Sequence, residues 1–94
     1  MSDVDVRDNP SEHRFELTVD GELAGMAVYR VRDGLTVVTH SEIDRRFRGQ
    51  GLGNVLASRT LDQLRAQGAR VYPACPFFAK YVAEHHEYDD IIED

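Results

Sequence analysis

Arg45, Arg46, Phe47, Arg48, Gly49, Gln50, Gly51, Leu52 and Gly53 stand together at the middle of a 94-residue chain. Three glycines at alternate positions let backbone N–H groups come close to a ligand. A helix beginning there adds unpaired amide donors and the positive end of its dipole. With the arginines, this makes either an anion site suited to phosphate or a flexible turn with a solvated basic face. Two nucleotide motifs are excluded. A P-loop needs Gly-Lys before Ser or Thr, and the chain has no Gly-Lys pair. A dinucleotide fingerprint opening at Gly49 and Gly51 needs a third glycine where Asn54 stands.

Three further side chains carry chemistry. His40 and Glu42 lie two apart on an expected strand and so share a face. His40 could be a general base that deprotonates an amine, with Glu42 orienting it, or the two could simply satisfy each other. Cys75, the single cysteine, sits where a strand gives way to a helix, and the helix N-terminus favours a thiolate. It could act as a nucleophile, or be a small buried hydrophobe. Tyr72 and Tyr81 could serve as general acids, although packing explains both. His13, His85 and His86 lack the spacing of a metal site, and no metal is expected.

The elements that position these groups follow from pattern. His13 to Val19 alternates apolar and polar residues, which is a half-buried strand. Residues 22–32 and 35–43 are two more strands, joined through Asp20-Gly21 and Asp33-Gly34, both two-residue hairpin signals. Gly51 to Gln67 reads as a helix ended by Gly68, and its apolar residues cover more than half its circumference. Residues 70–74 form a short strand with Pro73 at its edge or end. Pro76 then opens a helix running to about His85, and Tyr88 to Ile92 is a closing turn. Residues 1–11 are polar, contain Asn9-Pro10, and read as a loose lead-in. The order β-β-β-α-β-α predicts an α+β domain, an antiparallel meander extended by one parallel strand.

Composition sets the remaining bounds. A chain this short is one domain, with 41% hydrophobic and 30% charged residues. Apolar runs are too short for a transmembrane helix, and the acidic start does not read as a secretory signal. Seventeen acids against eleven bases give a net charge of −6. That field opposes nucleic acid and anionic membrane, so a local basic loop points to a small anionic ligand. One cysteine excludes a disulfide framework and fits a cytoplasmic setting.

Arg48-Gly49-Gln50-Gly51-Leu52-Gly53 matches [QR]-x-x-G-x-[GA], the signature of the GNAT superfamily of N-acetyltransferases, and the flanking elements match its context. The chain resembles more closely a small stand-alone GNAT-like subgroup. The segments that carry this are Thr39-His40-Ser41-Glu42, Tyr72-Pro73-Ala74-Cys75-Pro76-Phe77, Tyr81-Val82 with His85, and Glu87-Tyr88, so the likeness spans about residues 13–92. It implies that Arg46, Arg48, Gly49, Gln50, Gly51, Leu52 and Gly53 hold the pyrophosphate of acetyl-CoA. It further implies that the strand before the loop bonds the pantetheine arm, and that a cysteine at position 75 borders the cofactor cleft. Helices after the first strand and further terminal strands of the usual domain are missing, and these normally help to form the acceptor site. The implied activity is acetyl transfer from acetyl-CoA, as substrate, to an unidentified amine, with Cys75, His40 and Glu42 as catalytic candidates. The alternative is a CoA or acyl-CoA binding module with little catalysis, or an interaction protein that keeps only the fold. A monomer or weak homodimer is expected.

Overall fold

The computed structural model describes residues 3–93; Met1, Ser2 and Asp94, which fall in the expected lead-in and acidic tail, lie outside the described residues. Five strands form one sheet in sequential order: β1 (Val4–Asn9), β2 (Arg14–Val19), β3 (Glu22–Arg32), β4 (Leu35–Ile43) and β5 (Arg70–Pro73). The first four pair antiparallel, and β5 runs parallel to β4. Both Asp-Gly turns have the expected hairpin geometry, with positive φ at Asp20 and Gly21 and at Asp33 and Gly34. Helix α1 (Leu52–Ala66) makes the crossover to β5, and α2 (Pro76–Glu84) follows it. Short 3₁₀ turns fill Pro10–Glu12, Arg45–Phe47 and His86–Ile91.

The lead-in is a correction. Val4–Asn9 is an edge strand in full register with β2, from Val4 opposite Val19 to Asn9 opposite Arg14. Val6 is buried in the core, and α1 tethers the strand from above: Arg59 and Gln63 donate to the carbonyls of Val4 and Val6, each at 2.7 Å. Asp8 accepts the Tyr29 hydroxyl at 2.7 Å. Burial and this bond push the Tyr29 phenol up to about 12. The acidic C-terminal end is tied to the sheet and α1 by ion pairs. Arg65 meets Asp90 at 2.5 Å, Arg70 meets Glu93 at 2.6 Å, and the Glu93 amide donates to Val71 on the edge of β5.

One core joins the inward side chains of all five strands, such as Phe15, Leu17, Ala27, Tyr29, Val38 and Val71, to Leu56, Ala57 and Leu61 of α1 and Phe78 and Val82 of α2. The opposite sheet face is polar and carries the pairs Arg14–Glu16 and Asp5–Arg7.

Candidate functional site

Two irregularities in β4 build the site. The first is a bulge. Tyr29 pairs with Val38 but Val28 pairs with His40, so Thr39 is an extra residue on β4. A bulge of one residue reverses the alternation beyond it. Thr36 and Val38 face the core before the bulge, and Ser41 and Ile43 do so after it, opposite Ala27 and Gly25 of β3. The second is a parting of strands. The β4–β5 ladder ends at Val38 opposite Pro73, and one more bond, from the Cys75 amide to the Val38 carbonyl at 2.8 Å, closes it. From Thr39 to Ile43, β4 keeps only β3 as a strand partner, so its other backbone edge is open toward α2.

A cleft of about 210 Å³ occupies the gap, lined by Ser41, Glu42 and Ile43 of β4, Gly53 and Leu56 of α1, and Phe77 of α2. At its rim, the glycine loop turns through left-handed backbone at Gly49 (φ 83°) and Gly51 (φ 73°), and Gly51 caps α1 with no side-chain partner for the first amides. No atom lies within 4 Å of where a β-carbon would sit on either glycine, so this backbone faces open space. Gly53 differs: its β-carbon would come 3.0 Å from the Phe77 ring. Its role is close packing of α1 against α2, in addition to any contact with an anion.

The arginines divide in function. Arg46 is engaged by Asp44 at 3.3 Å and Glu22 at 3.4 Å and lies over the Phe47 ring. Asp44 also accepts the Arg46 amide, and these bonds hold its carboxyl below the usual carboxylate range. Arg46 therefore braces the loop, with much of its charge already matched. Arg48 reaches the Ile43 carbonyl at 3.3 Å, which places it where β4 meets the loop.

The expected catalytic residues do not converge. His40 and Glu42 share a face and bond at 3.1 Å, but their side chains are 59% and 56% exposed and alternate with those of Ser41 and Ile43. They emerge on the polar side of the sheet. Cys75 is 3% exposed, at the N-cap of α2, and its sulfur lies 3.2 Å from the Ser41 hydroxyl. Ser41 stands in the Thr39–Glu42 segment, but without knowledge of the bulge it falls on the wrong face. Tyr72 is exposed, whereas Tyr81 is buried and stacks on His85 with ring centroids 3.8 Å apart. Burial raises the Tyr81 phenol above its ordinary range. A larger hollow of about 690 Å³ lies between β5, α2 and the last turn, bounded by Tyr72, Val82, His86 and Ile92, away from the glycine loop. Among the described residues, no group of three His, Cys, Asp or Glu could hold a metal ion. No helix among the described residues is long and apolar enough to cross a membrane.

A strand that parts from its parallel neighbour beside a glycine-capped helix is a distinctive arrangement. The family profile described as GCN5-related N-acetyl-transferase matches residues 14–91. The chain belongs to this family. Among solved structures, it resembles a GCN5-like protein from Staphylococcus aureus with a TM-score of 0.72 and 19% identity, covering 99% of this chain and 91% of that one. It also resembles the ribosomal-protein-S18-alanine N-acetyltransferase from Escherichia coli with a TM-score of 0.59 and 18% identity, over 76% of this chain and 64% of that enzyme. At these identities the two structures bear on the fold. No curated protein matches the sequence significantly. The GNAT expectation and the α+β fold with its parallel fourth-to-fifth strand pair are thus borne out.

Proposed function

We propose that this GNAT protein transfers an acetyl group from acetyl-CoA to an amine acceptor, and that acetyl-CoA binds along the cleft between β4 and α1. The carrying observation is three features around the cleft: left-handed backbone at Gly49 and Gly51 with open space beyond it, an edge of β4 over Thr39–Ile43 that has no strand partner, and the Cys75 sulfur beside Ser41, which lines the cleft. The helix N-terminus suits pyrophosphate, with Arg48 beside it. The bare strand edge suits the amides of a pantetheine arm, which need donors and acceptors. The Escherichia coli relative is a ribosomal-protein-S18-alanine N-acetyltransferase, and an amine as acceptor is carried over here on likeness of fold. A cytoplasmic monomer or weak homodimer acting without nucleic acid or membrane fits the charge and the single cysteine.

A route through Cys75 is supported by Ser41, which lines the cleft and meets the sulfur. The Cys75 sulfur attacks the thioester carbon, the new S–C bond forms, and the bond from carbon to the CoA sulfur breaks. The thiol proton of Cys75 ends on the CoA sulfur. An amine then attacks the acetyl-cysteine, an N–C bond forms, the S–C bond breaks, and one amine proton returns to Cys75. His40, on the other face with Glu42, is the base for the rival route of direct attack, in which the amine arrives over the polar side of the sheet. Incubation with acetyl-CoA and no acceptor separates them. Intact-mass measurement is expected to show one acetyl group, lost in Cys75→Ala. No adduct, with Cys75→Ala fully active, refutes the covalent route.

A further inference from the structure

Ser41 has no role in the reading so far, yet it is the polar side chain that meets the Cys75 sulfur. The two belong to different elements, 34 residues apart, and come within 3.2 Å across the gap where β4 and β5 part. Ser41 also lines the cleft with Gly53, Leu56 and Phe77. Cys75 belongs to the buried core, and the Ser41 hydroxyl is within hydrogen-bond distance of its sulfur. Contact with the sulfur requires the bulge at Thr39, because uninterrupted alternation would place His40 rather than Ser41 on this face.

We infer that Ser41 is a positioning residue for Cys75: its hydroxyl donates to the sulfur, fixes it at the end of the cleft, and stabilises negative charge on it. The inference rests on the reading of Cys75 as the acetyl-accepting group, and it adds the residue through which that group is tuned. It concerns the resting protein, so it is testable without acetyl-CoA.

The chain has one cysteine, so iodoacetamide modification followed by intact mass reports Cys75 alone. A hydrogen bond to a charged group favours the thiolate about tenfold. The accompanying loss of nucleophilicity, at a Brønsted slope of about 0.4–0.5, takes back about threefold. Ser41→Ala should therefore slow alkylation about threefold on the acid side of the thiol's titration and speed it about threefold on the alkaline side. A purely structural change would move the rate in one direction throughout. Ser41→Thr, which keeps the hydroxyl, is expected to follow the parent profile. Because the sulfur is enclosed, the Cys75 β-carbon chemical shift followed against pH supplies a reagent-free measure: the midpoint in Ser41→Ala should rise by about one pH unit. Crossing rate profiles or the raised midpoint support the assignment. An unmoved midpoint, parallel profiles, or a Ser41→Thr protein that behaves like Ser41→Ala overturns it. If Ser41→Ala behaves as expected while the parent protein takes no acetyl group from acetyl-CoA, the tuning stands and the covalent route fails.

Discussion

Gly51 and Gly53 are two residues apart, yet replacing each by alanine should change stability unequally while weakening binding in both. At Gly51 the backbone is left-handed, with φ 73° and ψ 15°, and the space beyond it is open. Alanine there meets no neighbour but adopts a backbone that costs an L-residue about 1–2 kcal/mol. For a domain of this size each kcal/mol lowers the melting temperature by about 4–8 °C. Gly51→Ala should thus melt about 4–16 °C lower. At Gly53 the backbone is helical, and alanine gains about 1 kcal/mol of helix propensity over glycine. Against this, the new β-carbon lies 3.0 Å from the Phe77 ring tip, and the ring must yield by a few tenths of an ångström. Phe77 is 41% exposed and can move outward, so the two effects roughly cancel and the melting temperature should hold to within about 8 °C. Binding weakens in both. The Gly51 methyl projects into the open approach to the α1 amides, and the Gly53 methyl pushes Phe77 within the cleft it lines. Both variants should weaken CoA at least about tenfold, or about 1.4 kcal/mol. Circular-dichroism melts without ligand and calorimetric titration with CoA measure the two quantities. Unchanged CoA affinity in both variants refutes the assignment of the cleft. A Gly53→Ala protein that melts as low as Gly51→Ala refutes the packing account of Gly53.

Other perturbations follow from the same geometry. His40→Gln should leave acetylation of Cys75 intact if transfer is covalent, and should cost about 10²–10⁴ in turnover if His40 is the base for direct attack; steady-state rates of the variant decide. Arg48→Ala should weaken CoA binding more than Arg45→Ala, because Arg48 is held where β4 meets the loop; equal losses at two salt concentrations, or tight duplex DNA binding, would show that the basic cluster has been misread. Tyr29→Phe should remove part of an alkaline loss of stability. The folded phenol titrates at about 12 and the unfolded one at about 10, so the folded state holds its proton longer, and the stability present below about pH 10 is lost as pH rises toward 12. Urea midpoints from neutral to alkaline pH should fall less steeply in the variant; parallel curves contradict the cause assigned to the shift.

The hairpins and helices were legible because they obey local rules. Asp20-Gly21 and Asp33-Gly34 need positive φ at both positions and have it; Pro76 opens α2, and α1 stops within a residue or two of Gly68. β1 was illegible for a physical reason. Only Val4 and Val6 alternate with charged neighbours, and such a short signal beside Asn9-Pro10 does not exceed what a polar tail would show. What orders it is tertiary: the edge of β2, two carbonyls capped by Arg59 and Gln63, and the reach of Tyr29 to Asp8. The acidic end is similar, since its partners Arg65 and Arg70 lie more than twenty residues upstream.

The site itself was half legible, and a single residue marks the boundary. The glycine loop announces itself because left-handed turns demand glycine, and it lies where the sequence put it, between β4 and α1. The partner of Cys75 does not, because a bulge at Thr39 leaves no compositional mark. Counting alternate positions from Thr36 and Val38 carries the inward face to His40 and Glu42. The extra residue moves the inward face to Ser41 and Ile43, sets His40 against Glu42 on the polar side, and leaves a hydroxyl beside the sulfur. The same insertion thus separates the two candidate chemistries in space, a buried thiol behind Ser41 and an imidazole on the open sheet. A single acceptor amine would have to approach one or the other, and for that reason the acetyl adduct on Cys75 and the turnover of His40→Gln together discriminate between the two routes.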